Sequence, residues 1–575
     1  MGKFEVMPGD LDKKAIVADI AAKWDKWDSA RASRKDAWKR LQEFIELSVD
    51  SQKCCELAEK KGTFKANLWN SFKNEEAIFD VQGETSDADA YASQQKASLV
   101  NALKEAEVLK EFDAAFDYFL VKGSIILFVD WVSKYRNVRR PSVDNVGDSF
   151  FQVSSQLVYD GVRVKAVDPA NFVYDIAKYD KFDQCGKIYR NWLTYQDIID
   201  NEKYAENLSE EDRKGLKALI SGDNNSDSDE NNSGVKGDQI EILEYWGDYK
   251  LSNGTVLRNF VITIAGRSKI VRYEENPYID SPFIHWCALR NSATKYEMSL
   301  LEAALPLVEK ATNIQNKVIE AINLIINKPY LAPKGMLSGE IKITEGAIIE
   351  YDSSLMTSRP EPLDFTPALQ GWAFVQSLYQ EIENLLGLYK NMSGLPEDDA
   401  RTATEIQAVI SGQSVRLSMI ISLIGQFVII PLIQRIANLI SNFKFEEETI
   451  RIRQKDGSIA FIPINSDIRQ AHYTYIYGDS CSIAEKRAKF ADVMSLFQQA
   501  AQVIPNKVNW VEVLKEGLET YDWANPDKFI YFDALERTIE SITQDPVQQD
   551  VIKQGLNNYL IAHFRAFGVE VATNV

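Results

Sequence analysis

The stretch from Glu297 to Asn327 constrains this chain more than any other. Leu307, Ala311, Ile314, Val318, Ala321 and Ile325 recur at alternating steps of four and three, and Ile319, Ile322 and Ile326 form a second stripe beside the first. Such steps keep side chains on one face of an α-helix. A helix that is apolar on two flanks cannot rest on a single core and must be wedged between neighbours. Pro306 predicts a kink at its start.

Upstream, Ile16, Ile20, Trp24, Trp27, Trp38, Leu41 and Phe44 sit at helical spacing, and a second helical region runs from about Ala88 to Phe119. After Gly123, the β-branched run Ile125 to Trp131 reads as a buried strand. Val162 to Val167 alternates like a strand and ends at the turn Asp168-Pro169-Ala170-Asn171. Residues 222–237, almost all Asn, Asp, Ser and Gly, predict a solvated loop, and strands resume at Ile240–Trp246 and Phe260–Ile264. The chain to about residue 290 therefore reads as one α+β domain.

Downstream, Glu340–Thr344 and Ala347–Tyr351, separated by Glu345-Gly346, predict a hairpin. Helix returns over Ala368–Met392 with Trp372, Phe374, Leu378, Ile382 and Leu385. Ser393 to Arg401 breaks it with Gly394, Pro396 and the acids Glu397, Asp398 and Asp399. Thr402-Ala403-Thr404-Glu405 is a capping box opening a long helix to about Phe443. Strands over Thr449–Tyr477 and a mostly helical remainder complete a helix-rich α+β chain.

Composition narrows the function. Lys and Arg total 65 against 84 Asp and Glu, a formal net charge of −19, so the chain lacks the cationic balance of proteins that adhere to nucleic acid. Five scattered cysteines read as reduced thiols, and three separated histidines offer no metal-ligand spacing. Asp227, Asp229, Asn231 and Asp238 mimic calcium-loop offsets, but Asn232 stands where such a loop turns on glycine. No metal or cofactor is expected. Met1 to Asp10 has no signal-peptide pattern. Phosphate-loop, dinucleotide, nucleophile-elbow and HExxH patterns are missing, and His285-Trp286-Cys287 has no orienting third group, so no enzymatic activity is expected. Leu417 to Ile433 is apolar, but its 17 residues would span only about 25 Å, short of a hydrocarbon core. With Gln426 and Pro431 inside and Arg416 and Arg435 flanking, it reads as a buried helix of a soluble protein. A membrane-active ejection or pore protein built on this helix is the rival reading.

The order of these parts resembles phage portal proteins, the head-to-tail connectors, most nearly those of short-tailed phages. Phe116 to Trp131 is similar to that family's helix–glycine–strand–tryptophan passage, and Val167 to Asp175 and Ile242 to Trp246 look like its following strands. Pro282–Trp286 leading to Tyr296–Leu301 resembles the approach to its first stem helix, and Arg401 to Ile406 resembles the start of its long wing helix.

The resemblance implies a wing over 1–296, stem helices over 297–327 and 368–392, a clip over 328–367, a tunnel loop over 393–401, a long wing helix with following strands over 402–481, and a helical crown over 482–575. It implies a ring, usually of twelve copies, at one capsid vertex of the virion, assembled in the host cytoplasm. Double-stranded DNA would pass through its axis in packaging and ejection. Terminase during packaging, tail adaptor proteins and the major capsid protein would be its partners, with no membrane. Glu397, Asp398, Asp399, Arg401 and Thr402 would line the channel. Ile314, Val318, Ile322, Ile325, Trp372, Leu378 and Ile382 would form the stem interface between subunits, and Lys328, Lys334 and Lys342 would dock partners on the clip. In a closed ring each subunit offers one flank to each neighbour, which accounts for the two-flanked helix. The acidic balance then excludes adhesion of DNA and permits its passage.

Overall fold

The structure is a computed structural model and describes residues 10–46, 53, 55–143, 149–221, 234–251, 254–326 apart from 279 and 293, 330–333, 348–351, 354, 370–388, 416–445, 447–453 and 459–478. The chain opens with α1 (Asp10–Ala30), α2 (Ala32–Ile45) and α3 (Glu56–Phe72). The third of these was not anticipated. Beyond β1 (Phe79–Gly83), the helical region expected over 88–119 is three helices, α4 (Ser86–Ala90), α5 (Ala92–Glu105) and α6 (Val108–Lys122), broken at Tyr91 and at Glu107 with its φ of 50°.

Gly123 ends α6 in the left-handed region at φ 87°, and its N–H donates to the Phe119 carbonyl at 2.9 Å. A Cβ there would also lie 2.4 Å from the Met298 carbonyl carbon, so the turn and the packing both require glycine. The strand that follows is far longer than the expected Ile125–Trp131. β2 (Ser124–Val143) pairs antiparallel with β3 (Ser149–Ala166) along almost its whole length.

The next sheet contains β4 (Phe172–Tyr174), β5 (Lys187–Thr194), β6 (Val235–Lys236), β7 (Gln239–Lys250), β8 (Val256–Ala265) and β9 (Lys269–Glu275), in the order β4-β5-β7-β8-β9 with β6 beside β7. Between β5 and β6 lie α7 (Tyr195–Asp200), α8 (Glu202–Ala205) and α9 (Glu210–Ser221). Ile16, Val17, Ile20 and Trp24 of α1 cover one face through Leu243, Tyr245, Ile262 and Ile264, while Ile198, Leu208 and Leu216 meet Ile240, Ile242 and Val271 on the other. With both faces covered, β7 is buried almost continuously although its pairing is antiparallel.

The chain then reaches β10 (Phe283–Cys287), which pairs with Ser124–Phe128, and the short pair β11 (Leu289–Arg290) and β12 (Glu297–Met298). A 3-10 turn at Leu301–Ala304 leads into α10 (Leu305–Ile326). Pro306 occupies the first turn, where its missing N–H breaks no helical bond. β13 (Tyr330–Pro333) pairs in parallel with β14 (Ile348–Tyr351). The expected hairpin partner, Glu340–Thr344, lies outside the described residues. α11 (Gly371–Leu386) returns along α10, and α12 (Arg416–Phe443) includes a π-helical stretch at Gly425–Ile429.

β15 (Glu448–Arg453) and β16 (Ile459–Ile464) pair with each other and fall largely in a second compact unit, 449–463 with 481–575. The first unit holds everything else described, including β17 (Tyr473–Tyr477), which pairs antiparallel with β1 from Phe79↔Tyr477 to Gly83↔Tyr473. The main core of this unit joins Leu57, Phe64, Leu68 and Phe72 of α3 with Phe112, Phe116 and Phe119 of α6, Leu305 and Val308 of α10, Ile382 of α11, and Ile424 to Ile440 of α12. Each such side chain contributes about 1.5–3 kcal/mol by leaving water.

Candidate functional site

α10 and α11 meet the body of the first unit through a junction of buried charges. Glu297, in β12, stands 3.0 Å from Nε2 of His285 and accepts a hydrogen bond from the Tyr174 hydroxyl. Burial alone would raise its carboxyl, but the imidazole and the hydroxyl outweigh burial and bring it down to about 2. The Arg290 guanidinium lies over the Tyr179 ring at 3.6 Å from its centroid, completing this polar plug. Cys287 follows His285 by two residues, and burial pushes its thiol up to about 11, which keeps it protonated at neutral pH. Ser299 Oγ donates to the Leu120 carbonyl at 2.5 Å and accepts from the Leu301 N–H at 3.0 Å, fixing the chain just before α10.

Two further links reach the helices themselves. Arg34 of α2 binds Glu302 in a bidentate pair, one arm at 2.8 Å. Lys60 of α3, 2 % exposed, donates to Glu383 of α11 at 2.9 Å and lies 3.2 Å from Glu56. Burial opposes charge on Lys60, yet the two carboxylates hold its ammonium above the usual lysine range, while burial pushes Glu56 up. A buried pair of this kind adds little relative to an apolar substitute, but removing one partner strands the others. These residues were invisible to sequence reasoning as a set. The available signal was Lys60 itself, set among Leu57, Phe64 and Leu68 on the buried face of α3.

Beyond the junction, α10 and α11 run antiparallel. Gly371 at the start of α11 lies against Val318 and Ile314, and a Cβ at Gly371 would come within 2.9 Å of Val318 Cγ2, so a larger residue there would have to displace that methyl group. Tyr379 donates to Gln315 at 3.2 Å. Of the residues expected at a stem interface, Val318, Leu378 and Ile382 are buried within the chain, because α10 and α11 spend those side chains on each other and on the core. Ile314 and Ile325 are half-buried, and Ile322 and Trp372 are exposed. Ile319, Phe374 and Leu385 are exposed as well, and Ile326 reaches 70 %. The first stripe thus faces inward and the second outward. At roughly 100° per residue, Phe374 and Leu385 fall within about 20° of each other on α11, with Trp372 about 160° from Phe374. Exposed apolar groups therefore stand on both sides of the seam made by Val375, Leu378 and Ile382.

By length and composition α12 could cross a membrane. Its apolar residues Ile424, Val428, Ile429, Leu432, Ile433 and Ile436 are, however, buried in the main core against the chain's own helices and strands. Met419 and Phe427 of the same helix are exposed. The expected channel residues Glu397, Asp398, Asp399, Arg401 and Thr402 and the expected docking residues Lys328, Lys334 and Lys342 lie outside the described residues.

Two packed helices, anchored in an α+β body, thus carry exposed apolar groups on both sides of their seam. The chain belongs to the phage SU10 portal protein family, whose profile matches residues 148–556, well over half of its length. It is a phage portal protein, as the order of its parts implied, and the family is structural. No curated protein matches the chain.

Proposed function

We propose that copies of this chain close into a ring, of twelve members in the usual portal arrangement, at one vertex of the capsid. Double-stranded DNA passes through the ring's axis, terminase docks on the clip around Lys328, Lys334 and Lys342 during packaging, and tail adaptors replace it afterwards. The observation that carries the ring is the set of wet apolar residues on the stem, Ile319, Ile322, Ile326, Trp372, Phe374 and Leu385. A closed ring gives each flank a neighbour and removes them from water.

Glu397, Asp398 and Asp399 then stand on a loop at the axis, where repulsion from phosphates keeps the polyanion sliding, and Arg401 supplies a limited cationic contact. Imaging of the purified full chain by negative stain tests the ring directly. Deleting residues 395–401 should leave rings intact and impair packaging or retention of DNA. DNA-filled particles indistinguishable from wild type would remove the tunnel-loop assignment.

A further inference from the structure

On the face of the six-stranded sheet opposite α1, β7 carries Ile240 and Ile242 under α7 to α9, and Trp246 under β2 and β10. Glu244 lies between them, buried at the seam where these two covers meet. Its direction follows from the alternation of the strand, since Leu243 and Tyr245 take the α1 face. A carboxylate in such a place needs a cation. Among the described residues none stands at ion-pair distance from it. Its oxygens accept two long hydrogen bonds, both from neutral donors: the Tyr204 hydroxyl of α8 and the Trp246 indole, each at 3.3 Å.

The cations around Glu244 are engaged elsewhere. Glu244, Thr263 and Arg272 stand abreast on β7, β8 and β9, so Glu244 and Arg272 face each other across one small residue. Arg272 nevertheless bonds through Nε to Glu274 on its own strand, and the Oγ1 of Thr263, fully buried between them, has no hydrogen-bond partner. Arg163 of β3 holds Asp130 of β2 in a bidentate pair, with Nε 2.9 Å from Oδ1. Tyr189 stands opposite Glu244 on β5 and accepts a hydrogen bond from Lys165 of β3 at 3.1 Å. Tyr278 stacks on Trp246, and Lys203 of α8 is exposed. Burial is the largest influence on the Glu244 carboxyl and pushes it up, against the opposing pull of Arg272.

We propose that Glu244 holds a proton at neutral pH and that its ionisation is a switch: on losing the proton to solvent it draws Arg272 from Glu274 across Thr263, retying the seam between α8 and the sheet. A neutral acid accounts for the arrangement, because it accepts from tyrosine and tryptophan without a cation, whereas a carboxylate would not leave the facing guanidinium to the more exposed Glu274. The folded chain then binds this proton more tightly than the unfolded chain does. Its contribution to stability is complete below the ordinary carboxylate range and is lost as the pH rises through the folded value.

The test uses the full-length chain with its glutamates 13C-labelled at the side-chain carboxyl, read by infrared difference between H2O and D2O at neutral pH. The wild type should show a labelled carboxylic-acid carbonyl band, and E244Q should lose it. Because the amide mimics the neutral acid, E244Q should match the wild type in urea midpoint in mild acid, and above the pH at which the band titrates its advantage should grow by about tenfold in the folding equilibrium per pH unit. E274Q frees Arg272 for Glu244 and should lower that pH by about one unit, tenfold in proton affinity. A wild type with no labelled acid band overturns the proposal without recourse to any variant. A band that E244Q retains in full belongs to another glutamate and overturns it too. So does an E244Q chain that fails to fold or is less stable than wild type at neutral pH, the behaviour of a site built around a carboxylate. A titration that E274Q leaves unmoved overturns the exchange of Arg272.

Discussion

The junction and the outward flank of α10 and α11 use opposite materials. Where α10 and α11 meet the body, charges are buried and paired: Lys60 with Glu383 and Glu56, Arg34 with Glu302, Glu297 with His285 and Tyr174. On the outward side the same two helices expose Ile322, Ile326, Trp372 and Phe374 to water. Paired charges demand one geometry, since a displaced carboxylate loses its partner, whereas apolar contact tolerates small shifts. The difference separates two roles: the junction fixes the direction in which α10 and α11 leave the body, and the flank is the surface that the proposed ring would cover.

The sharpest way to break this division is Lys60→Met. It strands Glu383 and Glu56 in the core and should cost about 3–5 kcal/mol, read as a fall in the urea midpoint of unfolding. A loss below about 1 kcal/mol would place the pair at an ordinary surface value and end the contrast.

Next in size is the acid limb. The carboxyl of Glu297 titrates at about 2 in the folded chain against an ordinary 4.5. Its contribution is complete above the ordinary value and is lost as the pH falls from there towards 2, amounting to about 3 kcal/mol in full. Glu297→Gln should therefore lower stability at neutral pH and flatten the decline between pH 5 and pH 2, followed by circular dichroism. An unchanged acid limb would detach Glu297 from the junction.

The smallest effect on the subunit belongs to the flank. Ile326→Ser and Phe374→Ser should move the stability of the isolated chain by no more than about 0.5 kcal/mol, as exposed substitutions do, while reducing ring formation measured by native mass spectrometry. Full ring yield from the double variant would take the flank out of assembly and reduce the comparison to one region.

The sequence disclosed the parts that carry periodicity. The two stripes of α10 were legible as stripes, and the structure separates them into Val318 and Ala321 within and Ile319, Ile322 and Ile326 without. Asp168 accepts a hydrogen bond from the Ala170 N–H at 2.8 Å at the turn expected there. What stayed hidden had no local signal. Arg34 and Glu302 are 268 positions apart, and Lys60 and Glu383 are 323 apart, so no window contains either pair. Ser133 to Asn137 in β2 are exposed at every successive position, so this part of the strand shows none of the apolar alternation that marks a half-buried strand. α3 escaped because Lys60, Lys61 and Gly62 interrupt the run from Leu57 to Phe64. Residue 348 onward pairs in parallel with Tyr330–Pro333, a partner that turn chemistry at Glu345-Gly346 does not reveal.

The pairing of β1 with β17 also sets a clock. Residues 79–83 emerge from the ribosome hundreds of positions before their partners at 473–477. At about 5–20 residues per second, β1 waits tens of seconds as an open edge. The main core, which takes in Leu305 of α10 and Ile440 of α12, therefore closes only after α10 and α11 have been synthesised, and the pairing of β1 with β17 completes later still.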